Sequence, residues 1–287
     1  MAHGLRIVKL RGFTLIELVI VITITGVLAG AITIFLVPAV NSYFDTRRRA
    51  DLTDLADTAL RRMAKDIRSA VPNSVRSVSA TCIQLVPTMA GGRYRMASDT
   101  ILDSGALPCT PSGTCSAPLD TTRATTVFDS LTPLSTTPAQ NDWVVIDNQN
   151  ADDVYSATNR AQISVTPAVP TRSTDGLHRI TVPSIQFPIG YDGGRFLVVP
   201  NAEQTVFYSC VGNTLYRTAA AFNANQAATC ALTTGAVVTT DVASCTFVYD
   251  PNQGATQQSG FVWIRLQLSR AGESISLVHG VHVDNVP

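Results

Sequence analysis

Residues 18–44 run for 27 positions without a charged side chain, and a carboxylate, Glu17, stands immediately before them. As a helix rising ~1.5 Å per residue, this run covers ~40 Å, more than the ~30 Å hydrocarbon core of a bilayer. A helix apolar on every side has to be buried in lipid or among other helices, so the run is expected to cross a membrane. A charge at bilayer depth costs roughly 2.5–3.5 kcal/mol on insertion scales, so a carboxylate at the edge of the span calls for a partner. Arg6, Lys9 and Arg11 precede it with no acid among them, an arrangement that holds the N-terminus in the cytoplasm. Two plainer readings are a secretory signal peptide and an ordinary single-pass anchor. Signal-peptide apolar cores of about 7–15 residues are shorter than this run. An ordinary anchor gives no reason to keep Glu17.

Gly12, Phe13, Thr14, Leu15 and Glu17, followed by the apolar run, resemble the N-terminus of type IV prepilins, precursors of subunits of pili and of type II secretion pseudopili. The resemblance implies cleavage after Gly12 by a prepilin peptidase, which then methylates the new N-terminal Phe13. Glu17 becomes the fifth residue of the mature chain, one helical turn from the new amine. A neighbouring subunit's amine would neutralise it in an apolar filament core, where removing either partner strands a buried charge. Thr14, Thr23 and Thr25 can return their hydroxyls to carbonyls of the preceding turn, and Gly26 and Gly30 form a small-xxx-small face. Pro38 removes a backbone hydrogen bond, so a bend is expected near residues 34–38. In major pilins the kinking proline comes about one turn earlier, where Ile34 stands here, and the shift favours a minor role.

Leu52, Leu55, Ala56, Ala59, Leu60, Met63, Ile67 and Ala70 continue the helical period as one apolar stripe, opposite Arg47, Asp51, Asp54, Asp57, Arg61, Lys65 and Arg68. Arg47–Asp51 and Asp57–Arg61 are spaced for i,i+4 pairs. Arg47-Arg48-Arg49 reads as a solvated face beside acids or as a lipid-headgroup patch. Pro72 stops the helix. Beyond it the texture turns to short apolar runs between turn residues, and strands are expected at 82–87, 143–147, 162–165, 179–182, 196–199, 204–210, 245–249, 261–269 and 274–283. Arg270-Ala-Gly-Glu273 reads as a hairpin turn between the last two. The Ser/Thr/Pro-rich stretch 104–140 reads as a long exposed excursion. The fold class is α+β: a long N-terminal hydrophobic α-helix packed on a C-terminal antiparallel β-sheet domain, either one sizeable domain or one with long insertions. The expected division is a leader at 1–12, the membrane and assembly half of the helix at 13–44, its amphipathic half at 45–71, and a periplasmic β-rich domain at 72–287.

Lys+Arg and Asp+Glu balance at 21 each, so no basic field points to nucleic acid. Cys82, Cys109, Cys115, Cys210, Cys230 and Cys245 suit an oxidising compartment. Cys109 and Cys115 are expected to staple a tight loop, and Cys210 to pair with Cys245 or, second, with Cys230. Zinc is the competing explanation, but there is no C-x-x-C. His279 and His282, three apart on an expected strand, point to opposite faces and cannot share a metal. Asp147, Asp152 and Asp153 are loop acids that suit solvent or calcium. Gly91-Gly92-Arg93 and Gly193-Gly194-Arg195 read as diglycine turns, lacking the helix and Lys-Ser/Thr of a phosphate loop. No G-x-S-x-G motif occurs and no catalytic residue, metal or cofactor is expected.

Residues 60–68, 72–76, 91–95, 245–249 and 274–287 look most like minor pilin-like biogenesis proteins of the mannose-sensitive haemagglutinin pilus. The resemblance implies a structural protein that initiates, primes or caps a type IV pilus. Its partners would be the prepilin peptidase/methyltransferase, major and other minor pilins, the inner-membrane assembly platform and inner-membrane lipid. The expected location is the bacterial inner membrane, single-pass, with the pilus tip as a further site. The alternatives are a minor pseudopilin of type II secretion and, more remotely, a membrane-anchored envelope enzyme or binding module. Intact-mass analysis of protein from cells containing prepilin peptidase should give a chain that starts at N-methylated Phe13. A start at Met1, or at an internal signal-peptidase site, rules the prepilin reading out.

Overall fold

A computed structural model describes residues 12–103, 110, 113–189, 193–224, 230, 233–251 and 259–285. The leader basics Arg6, Lys9 and Arg11, and Cys109, lie outside the described residues. The chain divides into two compact units, Met1–Asp51 and Leu52–Pro287.

Helix α1 spans Leu15–Arg68 and continues through Pro38. In the first unit every residue from 12 to 44 is exposed. Thr23 Oγ1 donates to the carbonyls of Val19 and Ile20 at 3.0 and 2.9 Å, and Thr25 Oγ1 to Val21 at 2.7 Å. Hydroxyls returned to the helix backbone in this way leave no unsatisfied donor on an apolar surface.

In the second unit the strands are β1 (Arg76–Ser79), β2 (Cys82–Leu85), β3 (Ala90–Arg93), β4 (Thr125–Ser130), β5 (Trp143–Val145), β6 (Arg160–Gln162) and β7 (Val165–Ala168). They continue as β8 (His178–Ile185), β9 (Arg195–Val199), β10 (Thr205–Val211), β11 (Thr214–Ala220), β12 (Ala236–Thr239), β13 (Val242–Asp250), β14 (Ser259–Arg270) and β15 (Glu273–Asp284). A short helix α2 occupies Asp153–Ser156. Among the described residues four antiparallel sheets result, ordered β1-β2-β10-β11-β12, β13-β14-β15, β3-β9-β5-β6 and β4-β8-β7. The architecture is therefore α+β, a long apolar helix followed by antiparallel sheets.

The first core lies under the second half of α1. Leu52, Ala56, Leu60, Met63 and Ile67 pack with Ile83 and Leu85 of β2, Val206 and Tyr208 of β10, and Val262, Ile264, Leu266 and Leu268 of β14. The helical period and the strand alternation meet here, each supplying one apolar face. A charged clamp flanks this core. Arg217 Nε donates to Asp66 Oδ2 at 2.8 Å, while its Nη atoms reach both oxygens of Glu203 at 2.7 and 2.8 Å. The bond to Glu203, helped by Asp66 and opposed by burial, holds the Arg217 guanidinium above its ordinary pKa. Tyr208 Oη donates to the same Asp66 oxygen at 2.8 Å, so one helix carboxylate ties α1 to β10 and β11.

The β2 and β10 strands are neighbours, with Leu85 opposite Val206, yet they are far apart in the chain. Residues 86–204 are thus an insertion, and they carry a second core of Phe128, Val144, Ile146, Ile180, Phe196 and Val198. The long-insertion alternative is the one the chain adopts. The exposed excursion expected at 104–140 is corrected in part: residues 115–117, Leu119 and most of β4 are buried, Phe128, Asp129 and Ser130 completely so, whereas 122–124 and most of 131–140 are exposed. Arg179 holds Asp129 through Nε at 2.8 Å and Nη2 at 2.9 Å, satisfying a buried carboxylate in this Ser/Thr-rich sequence. Asp103 is also buried. Burial favours its neutral form, but hydrogen bonds from Ser116 and Arg172 prevail and hold its pKa at about 2.

Gly91–Arg93 is also corrected. It is not a turn but part of β3, with Gly92 opposite Phe196 and Arg93 opposite Arg195. A Cβ on Gly92 would lie 2.5 Å from Thr132 Oγ1 and 3.1 Å from the Phe196 ring, so the glycine permits close approach. Gly193 and Gly194, at φ of +121° and +57°, do form a turn. The strand expected at 162–165 is two strands, β6 and β7, separated at residues 163–164. Ala271 and Gly272 take φ of +50° and +87° between paired Arg270 and Glu273, the turn whose twist matches its strands.

Disulfides join Cys210 of β10 to Cys245 of β13, and Cys82 of β2 to Cys230; Cys115 is also disulfide-bonded. The pairing of Cys210 with Cys230 is excluded by these bonds, because Cys82 takes Cys230. Replacing Leu60, 3% exposed, by alanine should cost about 2–5 kcal/mol in chemical denaturation. Leu55→Ala, on a side chain 38% exposed, should cost less than about 1 kcal/mol. Equal costs would show that the buried face of α1 is misassigned.

Candidate functional site

Gly12 and Phe13 precede α1 in non-helical backbone, and Phe13 is 81% exposed. A Cβ built on Gly12 meets nothing within 4 Å among the described residues, so their packing does not demand glycine there. Any requirement for a small residue at this bond comes from whatever handles it.

Thr14 is the N-cap. Its carbonyl accepts the first helical bond from Leu18 N–H at 3.2 Å, and its Oγ1 accepts from Glu17 N–H at 3.3 Å. Glu17 reaches back, its Oε2 accepting from Thr14 N–H at 3.5 Å. These reciprocal bonds form a capping box, satisfying two of the donors that every helix start leaves open. Phe13 and Leu18 occupy the positions flanking such a box that favour a hydrophobic staple. The carboxylate also faces the positive end of the helix dipole. The Thr14 hydroxyl therefore does not return to a preceding turn, as the sequence suggested, because Thr14 itself opens the helix. The box was legible as Thr14-x-x-Glu17, but a membrane-boundary carboxylate draws attention to outside partners first.

From Phe13 to Phe44 the exposed apolar surface continues without a covering element among the described residues. A contiguous apolar surface of this extent marks burial in lipid or against other proteins. The helix is long and apolar enough to cross a membrane. Past the span, Arg48 pairs with Asp45 at 2.8 Å and Arg61 with Asp57 at 2.6 Å.

The other candidate residues are structural in their contacts. Asp152 pairs with the buried Arg76, whose guanidinium lies 3.4 Å from the centroid of the Tyr155 ring. Asp153 Oδ2 accepts from Asn150 N and Nδ2 at 3.0 Å, and Asp147 Oδ2 accepts from Gln149 Nε2 at 2.6 Å. His279 faces α1, and His282 lies against the Phe261 ring on the other side of β15. Among the described residues no three His, Cys, Asp or Glu side chains gather as metal ligands.

Residues 9–33 match the prokaryotic N-terminal methylation motif. The matched segment contains the capping box and the first half of the apolar run, and it supports a type IV prepilin-like protein. No curated protein and no solved structure matches the chain. Glu17→Leu should loosen the amides of residues 15–18 in hydrogen exchange by roughly 1 kcal/mol, the usual effect of a lost cap, while Glu17→Gln should keep most of it. Unchanged protection in the leucine variant would show that the box contributes nothing to helix order.

Proposed function

We propose that this chain is a minor pilin that initiates, primes or caps assembly of a type IV pilus. The motif match and the apolar helix support a pilin-like protein of a pilus or pseudopilus, anchored in a membrane by a single pass. One observation carries the reading: a helix capped by its own Glu17 carboxylate opens directly into an uncovered apolar surface. In this reading prepilin peptidase cuts between Gly12 and Phe13 and methylates Phe13. The helix start is then delivered into the membrane with a cationic amine beside Glu17.

The chain is held in the bacterial inner membrane with residues 72–287 in the periplasm, and from there it joins major and other minor pilins through the assembly platform. The disulfides fit that compartment. A large inserted lobe and the displaced Pro38 favour a minor subunit over a major one. The likeness of residues 245–249 and 274–287 to MshO directs the proposal to pili of the mannose-sensitive haemagglutinin type. A minor pseudopilin of type II secretion would share the same helix and processing, and co-purification with a pilus or a secretion platform separates the two.

Glu17→Leu and Glu17→Gln should both be processed, because insertion depends on the uncharged run. Both should associate poorly with other pilins in crosslinking from membranes, because neither can neutralise a neighbour's Phe13 amine. The glutamine variant keeps the cap, so an equal loss in the two assigns the effect to charge. Wild-type association of Glu17→Gln would remove the charge pair from the proposal.

A further inference from the structure

Strand β15 ends its sheet, which is ordered β13-β14-β15. It runs for 12 residues in unbroken register with β14, without a bulge. Among the described residues no other strand or turn bonds to the side of β15 that faces away from β14. Exposed edges are usually guarded by charge, proline, bulges or short length. Between its terminal acids, Glu273 and Asp284, β15 has none of these.

The two faces beside this edge differ in chemistry. On the helix side, His279 borders a groove of about 790 Å³ with Asp57, Arg61, Lys65 and Arg68. Asp57 is taken by Arg61 at 2.6 Å, and among the described residues neither Lys65 nor Arg68 meets an acid. His279 Nε2 is buried there, without a hydrogen-bond partner among the described residues. On the outer face, Val248, Trp263 and Val278 are each about half exposed, at 52%, 48% and 54%. Gly280 keeps this face flat: a Cβ there would lie 2.4 Å from Phe261 Cζ and 3.5 Å from Trp263 Cζ3.

We propose that the edge of β15 is a strand-addition site for an extended segment of a partner protein in which acidic and apolar residues alternate. Backbone pairing along the edge supplies affinity, and alternate side chains supply selectivity. Side chains on one face of the added strand would meet Lys65, Arg68 and His279, and those on the other would lie along Val278 and Trp263. A second copy of β15 fits poorly. The strand's helix-side residues Ile275, Leu277, His279 and Val281 include no acid to meet Lys65 and Arg68. The proposal concerns the second unit alone and does not depend on filament entry.

The test uses the purified full chain in detergent and three labelled ten-residue peptides: one alternating Glu and Val, one alternating Lys and Val, and one with the Glu residues clustered at one end. Fluorescence anisotropy should favour the alternating Glu/Val peptide over the Lys/Val peptide by about tenfold, with the clustered peptide also weaker. Lys65→Glu combined with Arg68→Glu, both exposed positions, should abolish or invert that preference without changing the thermal midpoint. Hydrogen exchange should show peptide-induced protection concentrated in residues 274–283. Equal affinity for the three peptides, protection confined to other strands, or concentration-dependent self-association that protects β15 would each overturn the proposal.

Discussion

The apolar stripe of α1 from Leu52 to Ile67 is the contact on which the second unit depends. It is the cover for two sheets at once, β1-β2-β10-β11-β12 and β13-β14-β15, whose inner residues would otherwise face water. Burying Leu52, Leu60, Met63 and Ile67 at 0–3% exposure contributes on the order of 1.5–3 kcal/mol for each side chain. The Asp66–Arg217–Glu203 clamp adds direction to that non-directional attraction, since only one rotation of α1 brings Asp66 to both Arg217 and Tyr208. The same helix carries, in its first half, an apolar surface of opposite destiny. The stripe is covered by the chain itself, and the run before it is left for a membrane or another subunit.

The disulfides reinforce the arrangement from buried positions, with Cys82 and Cys245 at 0% and 6% exposure. Cys210–Cys245 links the two sheets that share the helix, and Cys82–Cys230 closes 148 residues of chain. Cross-links of that kind restrict the unfolded chain more than they add contacts to the folded one, in the chain-entropy account. In the inserted lobe, ionic bonding takes a larger share. The Arg179–Asp129 pair is nearly sealed from water, so it is satisfied only while both partners are present.

Elements with a strong period were legible in the sequence. The α1 helix, β14, β15 and their hairpin follow from alternation and turn residues, and β2, β9 and β10 from short apolar runs. Strands β1, β3 and β4 are not legible, because Arg-Ser-Val-Ser, Ala-Gly-Gly-Arg and Thr-Thr-Val-Phe-Asp-Ser lack the apolar run that marks a strand. Their burial is decided by partners distant in sequence, such as Arg179 beneath Asp129. The partition into two cores was equally hidden, since nothing local announces that β2 pairs with β10. At the N-terminus the residues Gly12, Phe13 and Glu17 were legible from type and spacing. The local bond between Thr14 and Glu17 lies in the same spacing, but one carboxylate there has both a cap and a membrane boundary to answer to.

Because residues 86–204 leave one strand and return to its immediate neighbour, the entry and exit of the inserted lobe are only a strand spacing apart. A tight turn between Leu85 and Val206 would close the five-stranded sheet without altering its order. The lobe is thus a module set into a frame that it also helps to tie, held by Asn73 and Asn148 at the helix exit and by Tyr155 beneath Ser74. Such a frame can exchange what it displays while keeping what it inserts into a membrane, so one anchoring helix can serve chains whose outward surfaces share nothing.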